Sequence, residues 1–264
     1  MSVSSFLREH WPEYVFECGA LGCFMIAIGL LVTAFESPVS PIYRAIQCSF
    51  LRTTLLATAI GVVLALLIHS PWGKRSGAHI NPAVTLAFLR LKKIHPWDAL
   101  FYVVAQLIGG TLGVMLVAWC FGSLFTDPPV HYAITVPGSA GDAVAFVAEI
   151  VISCTLMATI LAFTASPRLI NFTGLAIGGL VAFWILVEAP LSGTSMNPAR
   201  TLTSAVPGMM WQHVWIYLVG PPLGMLIAAQ IHLNVHARNV SGCAKLLHPQ
   251  NVRCIHCGYL CHKD

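Results

Sequence analysis

One eleven-residue segment occurs twice in this chain, and the repeat restricts the folds that the chain can adopt. Residues 76–86 have the sequence SGAHINPAVTL and residues 192–202 have the sequence SGTSMNPARTL, so seven of the eleven positions are identical. The copies are offset by 116 residues, close to half of the 264-residue chain. An internal repeat of this kind predicts two similar structural halves.

Six apolar runs are long enough to cross a membrane as helices. They cover residues 14–35, 52–70, 97–121, 143–165, 170–189 and 211–234. A spanning helix needs ~20 apolar residues, and helices satisfy their backbone hydrogen bonds internally, as lipid requires. Hydrophobic residues make up 57% of the chain and charged residues 9%. So few charges exclude a typical soluble enzyme, a disordered chain and a nucleic-acid-binding protein.

Lys and Arg are unevenly distributed between the two sides of the predicted membrane. Six crossings put both termini on one side, which carries Arg8, Lys74, Arg75, Arg90, Lys92, Lys93, Arg168, Arg238, Lys245, Arg253 and Lys263. The other side carries Arg44 and Arg52 at most. Because basic residues accumulate on the cytoplasmic side, we expect both termini to be cytoplasmic. We expect the membrane to be a plasma (inner) membrane.

The two copies of the repeat are predicted to lie on opposite sides of the membrane. Three spans separate them, and an odd number of crossings reverses the side. The halves, about 14–121 and 143–235, are therefore expected to be inverted relative to each other. We expect a membrane domain over residues 1–235 and a separate Cys- and His-rich cytoplasmic tail over residues 236–264.

Each copy contains a helix-start signal inside an apolar stretch. Asn81 and Asn197 are good N-cap residues, because their side-chain oxygen can accept a free backbone N–H. Pro82 and Pro198 suit the first helical position, where no N–H is missed. We therefore expect two short helices that begin within the membrane, with their positive dipole ends facing each other at the midplane.

The short helices are predicted to cover residues 82–89 and 198–206, preceded by extended backbone at 76–80 and 192–196. Extended backbone is tolerated at this depth only where it is buried in protein or lines a watery cavity. The repeat therefore predicts a water-filled path.

The repeat resembles the two signature loops of the aquaporin and glycerol-facilitator family, the major intrinsic proteins. SGAHINPAV and SGTSMNPAR carry the likeness, which covers about residues 14–235 and leaves out the tail. It implies an all-α membrane protein in which six transmembrane helices and two half-helices form an inverted repeat, in a right-handed bundle. It also implies a homotetramer of passive channels for water, and for small uncharged solutes, that exclude protons and ions and need no cofactor.

The resemblance assigns the centre of the pore to the two Asn-Pro-Ala motifs. Their residues are Asn81, Pro82, Ala83, Asn197, Pro198 and Ala199. Water that accepts from both Asn amides points its hydrogens outward, which together with two positive helix ends opposes proton and cation passage. The implied pore-lining ladder consists of Gly77, Ala78, His79, Gly193 and Ser195. His79 could alternatively be a packed loop histidine.

The resemblance also implies a narrow extracellular filter. Its residues are Ile60, Ile185, Thr194 and Arg200, with Gly61 as the alternative to the first. An Arg within a membrane usually lines a cavity or has a partner, and the first repeat has Val84 in place of Arg200. Water-selective members of the family typically have His where this chain has Ile185. A glycerol facilitator therefore stays open as the alternative to a water channel.

Glu17 and Glu149 are acidic residues early in the first and fourth spans. The resemblance implies that they hold the two loops in shape, and Glu188 could brace the second loop. From the residues alone they could instead be coupling sites of an ion-coupled secondary transporter, which also uses inverted repeats.

The tail concentrates cysteine and histidine. Cys254 and Cys257 have a zinc-type spacing, and Cys243 and Cys261 could complete four thiolates. The alternative is a mobile tail without metal. The sequence therefore predicts no cofactor for transport and a possible zinc ion in the tail.

Overall fold

The protein is a bundle of helices. The structure is a computed structural model and describes residues 3–235, 242–248 and 251–258. In chain order the helices are α1 (Val3–Glu36), α2 (Pro41–Ala45), α3 (Ser49–His69), α4 (Pro71–Ser76), α5 (Pro82–Arg90), α6 (Pro96–Phe121), α7 (Ser123–Thr126), α8 (Asp142–Thr164), α9 (Thr173–Ser192), α10 (Pro198–Gly208) and α11 (Val214–Val235). Six of them, α1, α3, α6, α8, α9 and α11, are long and apolar enough to cross a membrane. No strand occurs in the described residues, which confirms the all-α prediction.

Five of the six predicted spans agree with the observed helices within three residues at either end. The exception is α1, which begins at Val3 instead of near residue 14. Its first three turns pack against the start of α6, where Asp98 accepts hydrogen bonds from Tyr14 (2.6 Å) and contacts His10 Nδ1 at 2.7 Å. Hydropathy marks only the apolar part of a helix, so this polar extension was missed.

The two halves of the chain interlock. In the first half α1 packs along α6, in the second α8 packs along α11, and α3 and α9 pack together across the halves. The half-helix α5 lies against α11, and the half-helix α10 lies against α6. Each half-helix is therefore held by the last long helix of the opposite half.

The half-helices α5 and α10 begin at the predicted prolines. With nine and eleven residues they are about 14 and 16 Å long, roughly half of the ~30 Å hydrocarbon core.

The face of the bundle at which α1 begins also carries α4 and the described tail residues 242–248 and 251–258. Arg253 donates to the carbonyl of Glu9 (3.3 Å), and Lys245 donates to that of Lys74 (3.0 Å). We call this face the terminal face.

The α3–α9 contact depends on two glycines. A Cβ added to Gly61 would overlap the carbonyl oxygen of Gly178, and a Cβ on Gly178 would overlap that of Gly61. Small residues allow membrane helices to approach this closely. The neighbouring Gly179 has no atom within 4 Å of an added Cβ.

We predict that Gly178→Ala destabilises the protein and that Gly179→Ala does not. Overpacking a close contact costs about 1–3 kcal/mol. The measurement is the thermal unfolding midpoint of the purified protein in detergent, with Gly179→Ala as the matched control. Equal midpoints for the two variants would show that the helices do not depend on this contact.

Candidate functional site

A cavity lies beside the two half-helix N-termini. Its volume of about 210 Å³ is far above the ~10–15 Å³ that one water molecule needs. Apolar side chains of α1, α3, α8 and α9 form most of its wall, and the two repeat loops add a polar stripe. The predicted pore residues that line it are Ile60, Ala78, His79, Asn81, Ile185, Gly193, Thr194, Ser195, Asn197 and Arg200.

Asn81 and Asn197 meet at the centre of this cavity through reciprocal hydrogen bonds. The Asn81 amide donates to the carbonyl of Met196 (2.7 Å), and the Asn197 amide donates to that of Ile80 (2.8 Å). Each side-chain oxygen caps its own half-helix by accepting from Ala83 (2.8 Å) or Ala199 (3.0 Å). The four bonds fix both amides and leave each with a second N–H, since an amide nitrogen has two.

The loops before the half-helices share an unusual backbone. Ala78 and Ile80 have φ of 55° and 52°, and the equivalent Thr194 and Met196 have φ of 53° and 52°. Non-glycine residues in this left-handed region cost roughly 1–2 kcal/mol each. Something outside each loop must therefore hold it in place.

Glu17 holds the first loop. One of its oxygens accepts hydrogen bonds from Ser76 Oγ (2.7 Å) and the backbone N–H of His79 (3.0 Å). The other accepts from the N–H of Ile80 (2.7 Å) and from Gln106 (2.8 Å). The carboxylate is fully buried, and it satisfies donors that lipid could not satisfy.

Glu149 holds the second loop in the same way. It accepts from Ser192 Oγ (2.7 Å) and from the backbone N–H groups of Ser195 (2.7 Å) and Met196 (2.8 Å). Tyr217 adds a hydrogen bond to the Ser192 carbonyl (2.6 Å). Two inverted copies of one arrangement therefore shape the cavity from opposite sides.

The end of the cavity away from the terminal face contains its one lining cation among the described residues, Arg200. Its Nη1 is buried and has no hydrogen-bond partner in the described part of the chain. Thr194 beside it donates to Glu188 (2.7 Å), so Glu188 does contact the second loop. Ile60 faces the cavity, whereas Gly61 faces α9.

The opposite end of the cavity involves the tail, which sequence reasoning did not connect with the pore. Leu246 is among the lining residues. His79 Nε2 contacts the carbonyl of Ala244 at 2.7 Å, while its Nδ1 contacts Thr85 Oγ1 at 3.0 Å. Gly77 lies outside the cavity lining, and its carbonyl accepts from the N–H of Leu246 (3.1 Å).

The tail also brings together four residues that could bind a metal. One ligand atom from each of Cys243, His248, Cys254 and Cys257 lies within 4.8 Å of the others. Tetrahedral zinc, with bonds of ~2.0–2.3 Å, needs ligand atoms about 3.5–3.8 Å apart, so small adjustments would complete the site. The predicted ligand Cys261 lies outside the described residues, and His248 takes the fourth place in the cluster.

The environment of the cluster favours a thiolate. The hydrogen bond with Cys243, supported by the Cys257 N–H and the Lys245 charge, lowers the pKa of Cys254, and the same bond raises that of Cys243. The two sulfur atoms are 3.2 Å apart, longer than the ~2.05 Å of a disulfide. Burial lowers the pKa of the adjacent His256 to about 3, so that ring is neutral.

We predict that Glu149→Gln destabilises the protein and reduces flux through the cavity. Glutamine offers one acceptor oxygen, so at least one buried backbone N–H loses its partner at a cost of about 1–3 kcal/mol. The measurements are the unfolding midpoint in detergent and solute flux in proteoliposomes. Glu9→Gln, at an exposed carboxylate, is the control, and equal behaviour of the two variants would contradict the bracing role.

Comparison with known proteins places this architecture in one family. The family model described as "Major intrinsic protein" matches residues 6–232. Aquaporin NIP3-1 of Zea mays is 33% identical over 81% of this chain and 70% of its own length. Aquaporin NIP6-1 of Arabidopsis thaliana is 36% identical over 76% of this chain and 64% of its own. Aquaporin NIP1-1 of Oryza sativa subsp. japonica is 35% identical over 66% of this chain and 60% of its own length.

A solved structure has the same fold. The X-ray structure of the aquaglyceroporin from Plasmodium falciparum matches with a TM-score of 0.69 and 19% identity, and the match covers 85% of this chain and 96% of that one. Together with six apolar helices, these matches identify an integral membrane protein. The chain belongs to the major intrinsic protein family, whose members are channels and not enzymes.

Proposed function

We propose that the chain is a passive channel for water and small uncharged solutes, and that it excludes protons and ions. The observation that carries this proposal is the meeting of two fixed Asn amides at opposed half-helix N-termini inside a cavity. The names of the relatives, aquaporins and an aquaglyceroporin, support the same solute class.

Asn81 and Asn197 would orient each solute at the centre. One N–H of each amide is used by the opposite loop, so the remaining N–H has a fixed direction. A water molecule that accepts from both amides turns its hydrogens away from the centre, which interrupts a proton wire. The positive ends of α5 and α10 add a barrier to cations.

Arg200 would form the second barrier together with Ile60, Ile185 and Thr194. The guanidinium charge repels cations, and its buried Nη1, which has no partner among the described residues, supplies a donor to a passing solute. Two isoleucines in this set make the lining more apolar than a water-specific filter and demand fewer hydrogen bonds from the solute. A glycerol facilitator is therefore the second candidate.

An ion-coupled transporter is less consistent with the two buried carboxylates. Glu17 accepts four hydrogen bonds and Glu149 accepts three. A coupling site needs a carboxylate that can take up and release its ion, whereas these two are committed to the loop backbones. Their role is to brace the loops.

We also propose the domain organisation, the orientation in the membrane and the oligomeric state of the channel. The channel domain covers residues 1–235 in two inverted halves, with the tail 236–264 as an addition. Both termini are cytoplasmic, the protein lies in a plasma (inner) membrane, and four copies associate, each with its own pore. Transport itself requires no cofactor and no nucleic-acid partner.

The tail cluster is proposed to bind one zinc ion. Three cysteines and one histidine are a common ligand set of closed structural zinc sites. The spacing of the four atoms, all within 4.8 Å, supports this set of ligands.

The effect of the filter on solute preference is tested with the variant Ile185→His and the control Ile185→Leu. We expect wild-type proteoliposomes, freed of metal with a membrane-permeant chelator, to be permeable to water and measurably permeable to glycerol. Histidine should lower the glycerol-to-water permeability ratio about tenfold, the effect of ~1.4 kcal/mol of discrimination. Stopped-flow light scattering measures both fluxes. Fast glycerol entry with weak water flux in the wild type would reverse the ranking of the two candidates.

Zinc content is tested on the full-length protein purified without chelators. We expect about one zinc per chain, as a single four-ligand site requires, and loss of zinc in Cys254→Ser/Cys257→Ser. Cys120→Ser, at an exposed cysteine remote from the tail, should keep the metal. Elemental analysis provides the stoichiometry, and a zinc-free wild type that also fails to take up added zinc would contradict the site.

A further inference from the structure

We propose that residues 244–247 are a metal-held plug that closes the pore at the terminal face. The inference rests on the proposed channel function and on the zinc site, and it adds a regulatory role for the metal. Zinc bound to the tail would mean a closed channel, and removal of zinc would open it.

Residues 244–247 are buried although they belong to a polar tail. Ala244, Lys245, Leu246 and Leu247 expose between 0% and 5% of their surface. The Leu246 side chain forms part of the wall of the same cavity that contains Asn81 and Arg200. The plug therefore reaches the solute path and does not merely cover its surroundings.

The plug also occupies the polar groups of the first loop. The Gly77 carbonyl accepts from Leu246, and His79 is bonded to the Ala244 carbonyl. The resemblance assigned the Gly77 carbonyl to the solute ladder and the His79 ring to the pore lining. A solute that enters from this face finds them already paired.

The ammonium of Lys245 fixes the plug to α4 and to the second tail segment. It is nearly fully buried and donates to the carbonyls of Lys74 (3.0 Å) and Arg253 (2.9 Å). The ring of His256 lies parallel to that of His79, 6.0 Å away, and contacts the Ser76 carbonyl at 3.2 Å. Both tail segments therefore converge on the loop that forms this end of the pore.

The metal cluster frames the plug in sequence. Cys243 directly precedes it, His248 directly follows it, and Cys254 and Cys257 belong to the second tail segment. A metal held by all four residues would fix both ends of the plug at once. The described tail residues form no helix or strand, and a segment this short usually needs a metal or a disulfide to hold one conformation.

The central experiment compares water flux of zinc-loaded and chelator-treated full-length protein in proteoliposomes, by stopped-flow light scattering. The membrane-permeant chelator TPEN reaches both faces. If the plug is in place nine parts in ten of the time, its release should raise flux about tenfold. Added zinc should restore the low flux, and Cys254→Ser/Cys257→Ser should be open and insensitive to both reagents.

A matched pair of variants separates plugging from metal binding. Leu246→Ala removes the side chain that reaches the cavity, whereas Leu247→Ala removes a neighbour outside the cavity lining. Neither residue is a ligand, so both variants should bind zinc like the wild type. We expect raised flux of the zinc-loaded protein for Leu246→Ala alone.

The outcomes distinguish the proposals from one another. Equal flux of loaded and chelated wild type, with one zinc bound, would overturn the plug and keep the zinc site. Absence of bound zinc would overturn both the zinc site and its gating role. Absence of water and glycerol flux in the chelated protein and in the double cysteine variant would count against the channel proposal itself. Inhibition by zinc that persists in that variant would assign the effect to another site and overturn the plug.

Discussion

The hydrogen bonds that Glu17 and Glu149 accept are the interactions on which the rest of the molecule depends. Each loop contains two non-glycine residues in the left-handed region, at roughly 1–2 kcal/mol apiece. Their backbone N–H groups lie where unsatisfied donors are most costly. A carboxylate accepts several bonds at once, and each is about twice as strong as a neutral one. The two carboxylates therefore make a non-helical path possible in the middle of a helical bundle.

The inverted symmetry extends to the loops but not to what covers them. At Gly193, the neighbours of an added Cβ would be Thr135 and Val136, in the connection between α7 and α8. At the equivalent Gly77 they would be Ala244 and Lys245 of the tail. The connection stays outside the cavity, whereas the tail reaches it through Leu246. The α7–α8 connection therefore supports the second loop from outside the cavity, whereas the tail enters the cavity beside the first loop.

The sequence was sufficient to predict the repeat-based core. Two Asn-Pro pairs predicted the half-helices because capping and the missing proline N–H act locally, within a few residues. The reciprocal bonds between Asn81 and Met196, or Asn197 and Ile80, could not be predicted locally because they join distant parts of the chain. The polar start of α1 was missed since its stability comes from contacts with Asp98 and not from hydropathy.

The contacts of the tail, too, could not be predicted from local sequence patterns. The pair Cys254 and Cys257 predicted a metal site by spacing, but His248 belongs to it by position in space. The contact of Ala244 and His256 with His79 could not be predicted either, because nothing in a polar segment indicates which surface will bury it. The signal that could have pointed there is the run AKLL, residues 244–247, a short apolar stretch between two candidate ligands.

The location of the tail bears on which chemistry holds it. The Cys243 and Cys254 sulfurs are close enough that an oxidising compartment could join them. If both termini are cytoplasmic, as the distribution of Lys and Arg predicts, thiols of the tail stay reduced and four converging ligands favour a metal. Bonds between the metal and these ligands form and break with the availability of the metal, and they leave the covalent chain unchanged. A channel that is otherwise passive would thereby acquire a reversible control at the mouth that lies at the terminal face.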